Sequence, residues 1–478
     1  MIDDRPPITS HQARPPHDAA SGVAPRLGLW DAVSIIIGIV IGTSIFRTSP
    51  MVFQNAFTPG WALTLWVVGG AVSWCGAVCY AELATTYPRD GGDYVYLSRA
   101  FGRPCGFLFA WAQLTVIISG NIGAMAYAFA DYGLVIYPQW KEHALWLTLA
   151  PVFVLTGINL MGIVAGKSVQ NVFSLLKVLG LAAIAAAGLW AGARPPAEAA
   201  VATNRAAPDI GVALVFVLYA YGGWIHAPYV AAEIRDQRRN LPRALILAIA
   251  AITAIYVAVN AAYLNVLGFE GARQTTSPAA DVLEYAAGPW GGKAVSLIVM
   301  LSALAAINAM ILTGARVYAV WGQDYPALGW LGTWGRRGGP TAAILLQSAI
   351  AVALILLVGT QAGRDGFDEA ISLLGLDGLP WPRFVHGFEA LVVGVSPVYW
   401  GLCLLGGVAV FVLRIKDRGA MRPYTIPFYP LPALVLCASC AYLLYASCAY
   451  AGLLTLVGVV PLAVGGVVWL FVRRDAER

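Results

Sequence analysis

Long apolar blocks dominate this chain of 478 residues. Each block runs for about 20 residues with hardly a charge, which is the length that a helix needs to cross the hydrocarbon core of a bilayer. Only 12% of the residues are charged and 59% are hydrophobic, whereas a soluble protein must cover its surface with polar groups. The pattern therefore predicts a polytopic α-helical membrane protein and argues against a soluble α/β enzyme.

The apolar blocks, taken between charged or turn-rich breaks, give twelve predicted transmembrane helices, numbered in chain order. The weakest break is the one at Ser447–Ala451, because predicted helices eleven and twelve run together with scarcely any polar loop. The predicted limits are 29–53, 62–84, 104–132, 145–163, 168–192, 209–232, 243–267, 291–321, 340–359, 388–413, 428–447 and 451–472.

The positive charges test this count. With both termini placed in the cytoplasm, 21 of the 30 Lys and Arg fall in inside segments, eight fall outside and Lys177 lies within a span. Cytoplasmic loops of membrane proteins carry such an excess. We therefore expect a multi-pass protein of the cell membrane with both termini inside. The net charge of +5 is small and segregated by side, so it indicates no nucleic-acid partner.

The first 28 residues and the cysteines add little chemistry. Residues 1–28 are rich in Pro and Ala with no apolar core, which predicts a disordered cytoplasmic tail and no cleavable signal peptide. The seven cysteines lie in or beside apolar blocks, and the pair Cys437 and Cys440 lacks two further ligands nearby. We expect no metal, no other cofactor and no disulfide framework.

Two predicted helices contain interruptions. Helix one holds a glycine-rich stretch at mid-depth, Gly38–Phe46, and helix six holds Tyr219–Trp224 followed by Pro228. Taken alone, each stretch favours close helix packing through small residues. However, the first and sixth helices hold matching positions in two halves of five helices, which run in opposite orientations because five is odd. Paired interruptions at matching positions are typical of a transporter with inverted repeats and a site at the bilayer midplane.

Interrupted helices suit a zwitterionic ligand. An opened helix presents N–H groups, with the positive end of its dipole, to a carboxylate. Its free carbonyl groups attract an ammonium group, so neither task requires a charged side chain.

Four groups of residues, in order along the chain, resemble one family. They are Gly38–Phe46; Cys79–Ala84 with Tyr87–Leu97; Ala220–Trp224 with Glu233 and Asn240–Arg243; and Arg422–Tyr424 with Pro427, Tyr429 and Pro430. These motifs are similar to those of the amino acid–polyamine–organocation (APC) superfamily, and within it of the L-type amino acid transporters. The resemblance runs from about Gly28 to Val472.

The resemblance implies an all-α membrane protein with twelve transmembrane helices. Ten of them form a five-plus-five inverted repeat of the LeuT-like kind, followed by two extra helices. The predicted organisation is a tail (1–28), a first repeat (29–192), a second repeat (209–413), helices eleven and twelve (428–472) and a second cytoplasmic tail (473–478). The second repeat contains a long extracytoplasmic insertion (360–387) between helices nine and ten, which departs from the family pattern. Residues 373–379 of the insertion are expected to form either a short lid or interfacial helix or an inert segment.

The resemblance also implies a substrate site at the two interruptions. Backbone N–H groups would take the substrate carboxylate and carbonyl groups its ammonium, while Tyr219 and Trp400 would form an aromatic gate and wall; lipid-belt or packing roles remain equally open for these two rings. Ser44 stands where the family usually has glycine, which favours a smaller substrate or an extra hydroxyl contact. The implied site residues are Val40, Gly42, Thr43, Ser44, Tyr219, Ala220, Gly222 and Trp400.

Lys177 is the one basic residue well inside a span. An intramembrane amine is expensive and usually marks a transport pathway, although a lysine can also extend its amine toward the membrane surface. By resemblance, Lys177 occupies the place where sodium-coupled relatives bind an ion between helices one and eight. Its ammonium would bond carbonyls of helix one, replace the cation and take part in proton exchange.

Other polar residues in or near the spans are not predicted to be substrate-binding residues. Glu82 and Glu233 are expected to pair with nearby arginines, for which Arg89 and Arg235 are candidates. Asp131 is expected to meet water. His226 and Ser302 either face the pathway or are satisfied interior groups.

Together these features predict a sodium-independent secondary transporter of amino acids that works by alternating access, as an exchanger or a proton-coupled permease, and not an enzyme. Neutral substrates are expected because no acidic residue lies at mid-depth in any span. The loop Tyr132–Ala144 contains no cysteine, so no disulfide-linked heavy subunit is expected, which leaves a monomer or a non-covalent dimer. Alternatives are a membrane-embedded transferase, for which the five histidines are too scattered, and an amino-acid sensor or channel.

Overall fold

The chain folds into helices that pack side by side. The structure is a computed structural model and describes residues 28–89, 91–161, 163–192, 208–225, 234–275, 277–333, 340–373, 375, 378–379, 381 and 387–476. In these ranges the α-helices are α1 (Leu29–Val40), α2 (Ser44–Asn55), α3 (Pro59–Thr86), α4 (Asp93–Phe101), α5 (Arg103–Ala112), α6 (Ile118–Ile136), α7 (Ala144–Leu160), α8 (Ile163–Trp190), α9 (Ile210–Tyr221), α10 (Gln237–Gln274), α11 (Pro278–Ala287), α12 (Pro289–Asp324), α13 (Thr341–Gly359), α14 (Gln361–Ser372), α15 (Gly387–Lys416), α16 (Leu431–Ala451) and α17 (Leu456–Ala476).

Eight helical stretches in the described ranges are long and apolar enough to cross a membrane. One of them, Leu431–Arg473, contains both α16 and α17. These two helices are separated by a 3₁₀ turn, Gly452–Thr455, and not at the predicted break at Ser447–Ala451. The turn starts at Gly452 because its φ of 53° is a left-handed conformation that glycine adopts without steric cost. Shorter apolar helices lie at Leu29–Gly38, Leu175–Trp190 and Ile210–Ile225.

Local sequence explains where several helices begin. The Thr58 hydroxyl accepts a hydrogen bond from the Trp61 N–H, and Pro59 takes the first helical position of α3. At the start of α9, the Asp209 carboxylate accepts hydrogen bonds from the N–H groups of Gly211 and Val212. Both caps satisfy N–H groups that have no partner inside the helix.

Helix packing places the interrupted helices inside the bundle. The first half of the predicted helix one, α1, packs against α8 and α10, while its second half, α2, packs against α9 and α10. On the other side, α9 contacts α3 and α16. Helices α6 and α12 pack along each other, and α12 also packs against α8.

The predicted insertion contains a helix, α14, Gln361–Ser372. Residues 374, 376 and 377 of the segment expected to form a short lid or interfacial helix lie outside the described residues. The N-terminus of α14 is set by the Thr360 hydroxyl, which accepts from the Gly363 N–H, and the chain turns at Gly375 with a φ of 73°. The Trp381 indole then donates to the Asp368 carboxylate of α14. The predicted N-terminal tail, His226, Pro228, Glu233 and residues 374, 376–377, 380 and 382–386 lie outside the described residues.

Candidate functional site

The first interruption, called here the helix-one break, comprises residues 41–43. Helix α1 ends at Val40, Ile41 is extended with φ −71° and ψ 94°, and α2 begins at Ser44. The first N–H groups of α2 have no partner within the helix, and no described side chain caps them. Thr43 and Ser44 are buried, at 0% and 6% exposure. The break therefore holds a buried, uncapped helix N-terminus that can bind an anion.

Lys177 of α8 contacts the other side of this break. Its Nζ donates to the carbonyl oxygens of Gly38 at 2.8 Å and of Ile41 at 2.6 Å. The side chain is 1% exposed. The ammonium thus satisfies two carbonyl groups that the interrupted helix leaves without their usual N–H donors, and it is itself buried away from water.

The second interruption, the helix-six break, begins where α9 ends at Tyr221 and the chain continues as a 3₁₀ turn over residues 222–225. Its carbonyl groups are bound by two tyrosines. The Tyr256 hydroxyl on α10 donates to the Ala220 carbonyl at 3.1 Å, and the Tyr399 hydroxyl on α15 donates to the Gly222 carbonyl at 3.2 Å. The Tyr256 hydroxyl also lies 3.5 Å from the Val40 carbonyl oxygen. Tyr256 therefore joins the two breaks.

One face of α6 contacts both breaks. The Tyr219 hydroxyl donates to the Asn121 Oδ1 at 3.2 Å, and the Thr43 hydroxyl donates to the Met125 sulfur at 2.7 Å. Asn121 and Met125 lie one helical turn apart. Asn121, Tyr256 and Tyr399 were not among the predicted site residues. Asn121 could have been found as a polar residue inside an apolar span.

Trp400 lies beside the helix-six break. Its ring packs edge-on to Tyr399, with the centroids 4.9 Å apart, and its indole N–H has no partner among the described residues. Trp400 and Gly222 line a narrow cleft together with Trp224 and Ile225 of the helix-six break and with residues of α3, α9, α15 and α16. The structure thus brings Trp400 to the helix-six break.

Glu82 at the end of α3 pairs with an arginine, as expected, but its partner is not the candidate Arg89. Its carboxylate accepts from Arg414 at 2.8 Å and from the Ile426 N–H at 2.8 Å, and Arg422 lies 3.7 Å away. Arg89 instead pairs with Asp324 at 2.9 Å. The end of α15 packs against α3, so an arginine distant in sequence is nearer to Glu82 than the one just after the helix.

Asp131, near the end of α6, forms an ion pair and is also partly exposed to water. It is 32% exposed and forms an ion pair with Arg47 of α2. The Arg47 guanidinium also lies 5.3 Å from the centre of the Phe388 ring. The partial exposure of Asp131 agrees with the expectation that it meets water, and the ion pair with Arg47 is an additional contact that was not expected. The Ser302 hydroxyl on α12 is buried without a partner among the described residues.

Comparison with known proteins gives relatives along nearly the whole chain. The model of a family described as amino acid permease matches residues 27–472. The serine/threonine exchanger SteT of Bacillus subtilis is 27% identical over 431 residues, which cover 88% of this chain and 91% of that protein. The Asc-type amino acid transporter 1 of Mus musculus is 30% identical over 403 residues, 80% of this chain and 76% of the relative.

A further relative is the large neutral amino acids transporter small subunit 2 of Rattus norvegicus. It is 33% identical over 333 residues, which are 65% of this chain. The matched part spans 61% of the length of that relative.

Proposed function

The chain belongs to the amino acid permease family, and from that premise we propose that it is a secondary transporter that carries neutral amino acids across the cell membrane without sodium. It works by alternating access, as an exchanger or a proton-coupled permease. Twelve transmembrane helices with both termini in the cytoplasm form two inverted repeats (29–192 and 209–413) and two further helices (428–472). The eight candidate spans and the two breaks support this arrangement.

The observation that carries the proposal is the pair of breaks joined by Tyr256. The substrate carboxylate binds the free N–H groups at Thr43 and Ser44, where the N-terminus of α2 is uncapped. The substrate ammonium binds the carbonyls of Val40, Tyr219 and Ala220. Because the Tyr256 hydroxyl already donates to Ala220, it shares that carbonyl with the substrate or gives it up.

Lys177 supports sodium independence. Its ammonium takes the Gly38 and Ile41 carbonyls, and a cation site needs free oxygens at such a place. The Lys177 ammonium therefore supplies the positive charge that a sodium ion would otherwise bring to these carbonyl oxygens.

The surroundings of the breaks support a neutral substrate. The hydrogen-bonding side chains named there are Thr43, Ser44, Asn121, Tyr219 and Tyr256, none of which is a carboxylate. The cationic side chain of lysine or arginine would lack a countercharge in this buried place. Ser44 and Asn121 are small polar groups, which favours small or hydroxylated side chains, and one relative is named a serine/threonine exchanger.

The transporter needs no disulfide-linked partner. The segment between α6 and α7 contains no cysteine within residues 132–144. We therefore expect the chain purified alone to be active in proteoliposomes. Loss of activity on purification, with rescue by a second protein, contradicts this part of the proposal.

A counterflow assay tests the function. The purified protein is reconstituted with unlabelled alanine, serine or leucine inside the vesicles, and uptake of the same labelled amino acid is measured. A carrier shows uptake stimulated by internal substrate, and Asp365→Asn, which changes an exposed carboxylate on α14, serves as a matched control. A channel gives flux without stimulation, a sensor gives binding without flux, and a transferase gives chemical conversion; each of these results rejects the proposal.

A further inference from the structure

Asp93, the first residue of α4, has an unusual environment for a carboxyl group outside the membrane-spanning helices. It is 4% exposed. One side of the carboxyl accepts a hydrogen bond from the Tyr80 hydroxyl of α3. The other oxygen, Oδ1, is buried without a partner among the described residues. A carboxylate usually accepts several hydrogen bonds, so a single donor is poor compensation for the loss of water.

The buried oxygen lies against α15. A Cβ atom built on Gly406 would lie 2.4 Å from the Tyr80 hydroxyl oxygen and 3.6 Å from Asp93 Oδ1. A side chain at this position would displace the Tyr80 hydroxyl, whereas glycine leaves room for the Tyr80–Asp93 pair between α3, α4 and α15. Helix α4 is thus seated in a tight contact that contains an ionisable group.

Three cationic side chains near this contact each bind a group other than Asp93. Arg99 of α4 pairs with Asp417, Arg414 of α15 pairs with Glu82, and Lys416 donates to the Ala100 carbonyl. The titratable and charged groups on the elements packed here, besides Asp93, are Cys75, Cys79, Tyr80 and Glu82 of α3; Tyr94, Tyr96 and Arg99 of α4; Arg103 and Cys105 of α5; Lys293, Arg316, Tyr318 and Asp324 of α12; and Glu389, Tyr399, Cys403, Arg414 and Lys416 of α15. Among the described residues, no cation compensates for the cost of burying a negative charge on the Asp93 carboxylate.

We propose that Asp93 is a proton-binding site of the transport cycle, protonated while α4 is seated against α3 and α15 and deprotonated into water when α4 leaves them. The proton moves from the carboxyl oxygen to solvent on the side of α4, which the predicted topology places in the cytoplasm. The inference rests on the proposed function, because the seating and release of α4 accompany the alternation of the carrier.

The acid–base balance of Asp93 agrees with this geometry. Burial raises the pKa of the Asp93 carboxyl to about 7, although the Tyr80 hydrogen bond opposes the rise. A hydrated aspartate has a pKa of about 3.9. The ratio of seated to released α4 is therefore highest below about pH 4. It falls by up to about tenfold per pH unit between about pH 4 and pH 7, and it is constant above about pH 7.

The proton is detected directly by infrared spectroscopy of the purified full chain. The C=O stretching band of a protonated carboxylic acid is compared between wild type and Asp93→Asn at about pH 6 and pH 8. We expect a band that is present in wild type at the lower pH, lost at the higher pH and missing from Asp93→Asn. Asp417→Asn is the control, because the Arg99 hydrogen bond holds the pKa of the Asp417 carboxyl below its usual value, so this carboxyl stays ionised throughout.

The packing of α4 against α3 and α15 is measured by hydrogen–deuterium exchange of the α4 peptide, corrected for the intrinsic pH dependence of exchange. We expect exchange to rise up to about tenfold per pH unit between about pH 5 and pH 7 in wild type and to stay flat in Asp93→Asn. If Asp93→Asn does not fold, Tyr80→Phe provides the test, because loss of the hydroxyl donor moves the midpoint to higher pH.

A difference spectrum without a titrating band overturns the proposal, as does an α4 exchange profile that is the same in Asp93→Asn and wild type, or a midpoint in Tyr80→Phe that does not move. Counterflow is measured on the same preparations. Absence of counterflow with an intact band rejects the proposed function, whereas normal counterflow without the band rejects only the role of Asp93.

Discussion

Each of the two helix breaks ends an apolar α-helix, but the two differ in what binds their carbonyl groups. At the helix-one break, the ammonium of Lys177 bonds Gly38 and Ile41 at 2.8 and 2.6 Å. At the helix-six break, neutral hydroxyls of Tyr256 and Tyr399 make longer bonds of 3.1 and 3.2 Å. Hydrogen bonds that involve an ionised group are shorter and stronger than neutral ones. The helix-one break is therefore held firmly, while the helix-six break is held by bonds that a substrate ammonium can replace.

The largest expected effect comes from removing the charged contact. Lys177→Ala leaves two buried carbonyls without a donor, each costing about 1–3 kcal/mol, so counterflow should fall by at least about tenfold. Lys177→Arg should not restore it fully, because the guanidinium is larger and does not deprotonate. The control is Lys141→Ala, which changes an exposed lysine in the turn before α7. Normal transport by Lys177→Ala would show that Lys177 does not hold the helix-one break.

Substrate charge tests whether the breaks lack a negative countercharge. The side chains named at the two breaks are neutral apart from the Lys177 ammonium, so a second positive charge on the substrate meets no carboxylate there. Arginine should therefore compete with labelled alanine at least about tenfold less well than unlabelled alanine or leucine does, which corresponds to about 1.4 kcal/mol. The check is a competition assay in proteoliposomes. Equal competition by arginine would mean that an acidic group outside the described residues reaches the site.

The hydroxyl contacts should matter less than the charged one. Tyr256→Phe removes a donor that lies within reach of both breaks, and at about 1 kcal/mol for one neutral hydrogen bond we expect roughly a fivefold loss of counterflow. Tyr399→Phe loosens only the helix-six break, so its effect should be smaller. The matched control is Tyr445→Phe on α16, whose side chain is 71% exposed. A greater loss in Tyr399→Phe than in Tyr256→Phe would reverse the order of the two contacts.

The sequence was most informative where a residue type is out of place in its segment. Lys177 inside an apolar span and the glycine-rich stretch around Gly42 identified the helix-one break, which the structure places at residues 41–43. Tyr256 and Tyr399 were missed because a tyrosine in an apolar helix is also an ordinary packing residue. Their role depends on which helix lies opposite, and local periodicity does not contain that information.

The same limit explains the charged pairs. Glu82 and Arg414 are separated by 332 positions in the chain, so proximity in sequence favoured Arg89, which belongs to a different ion pair with Asp324. Asp93 also lay within a recognised motif. Its burial against Gly406 of α15 became visible only when the two helices were placed side by side.

The smallest expected effect is that of removing sodium on uptake, and it tests the Lys177 contact directly. Sodium would need the carbonyl oxygens of Gly38 and Ile41 that the Lys177 ammonium already occupies. Two unit positive charges about 4 Å apart repel by about 4 kcal/mol at an effective dielectric constant of about 20, so the site holds either the lysine or the ion. Uptake into proteoliposomes should therefore be unchanged when choline replaces external sodium, while a carrier of known sodium dependence in parallel vesicles loses activity. If uptake by this protein collapses without sodium, the ion binds elsewhere and the Lys177 ammonium is not its substitute.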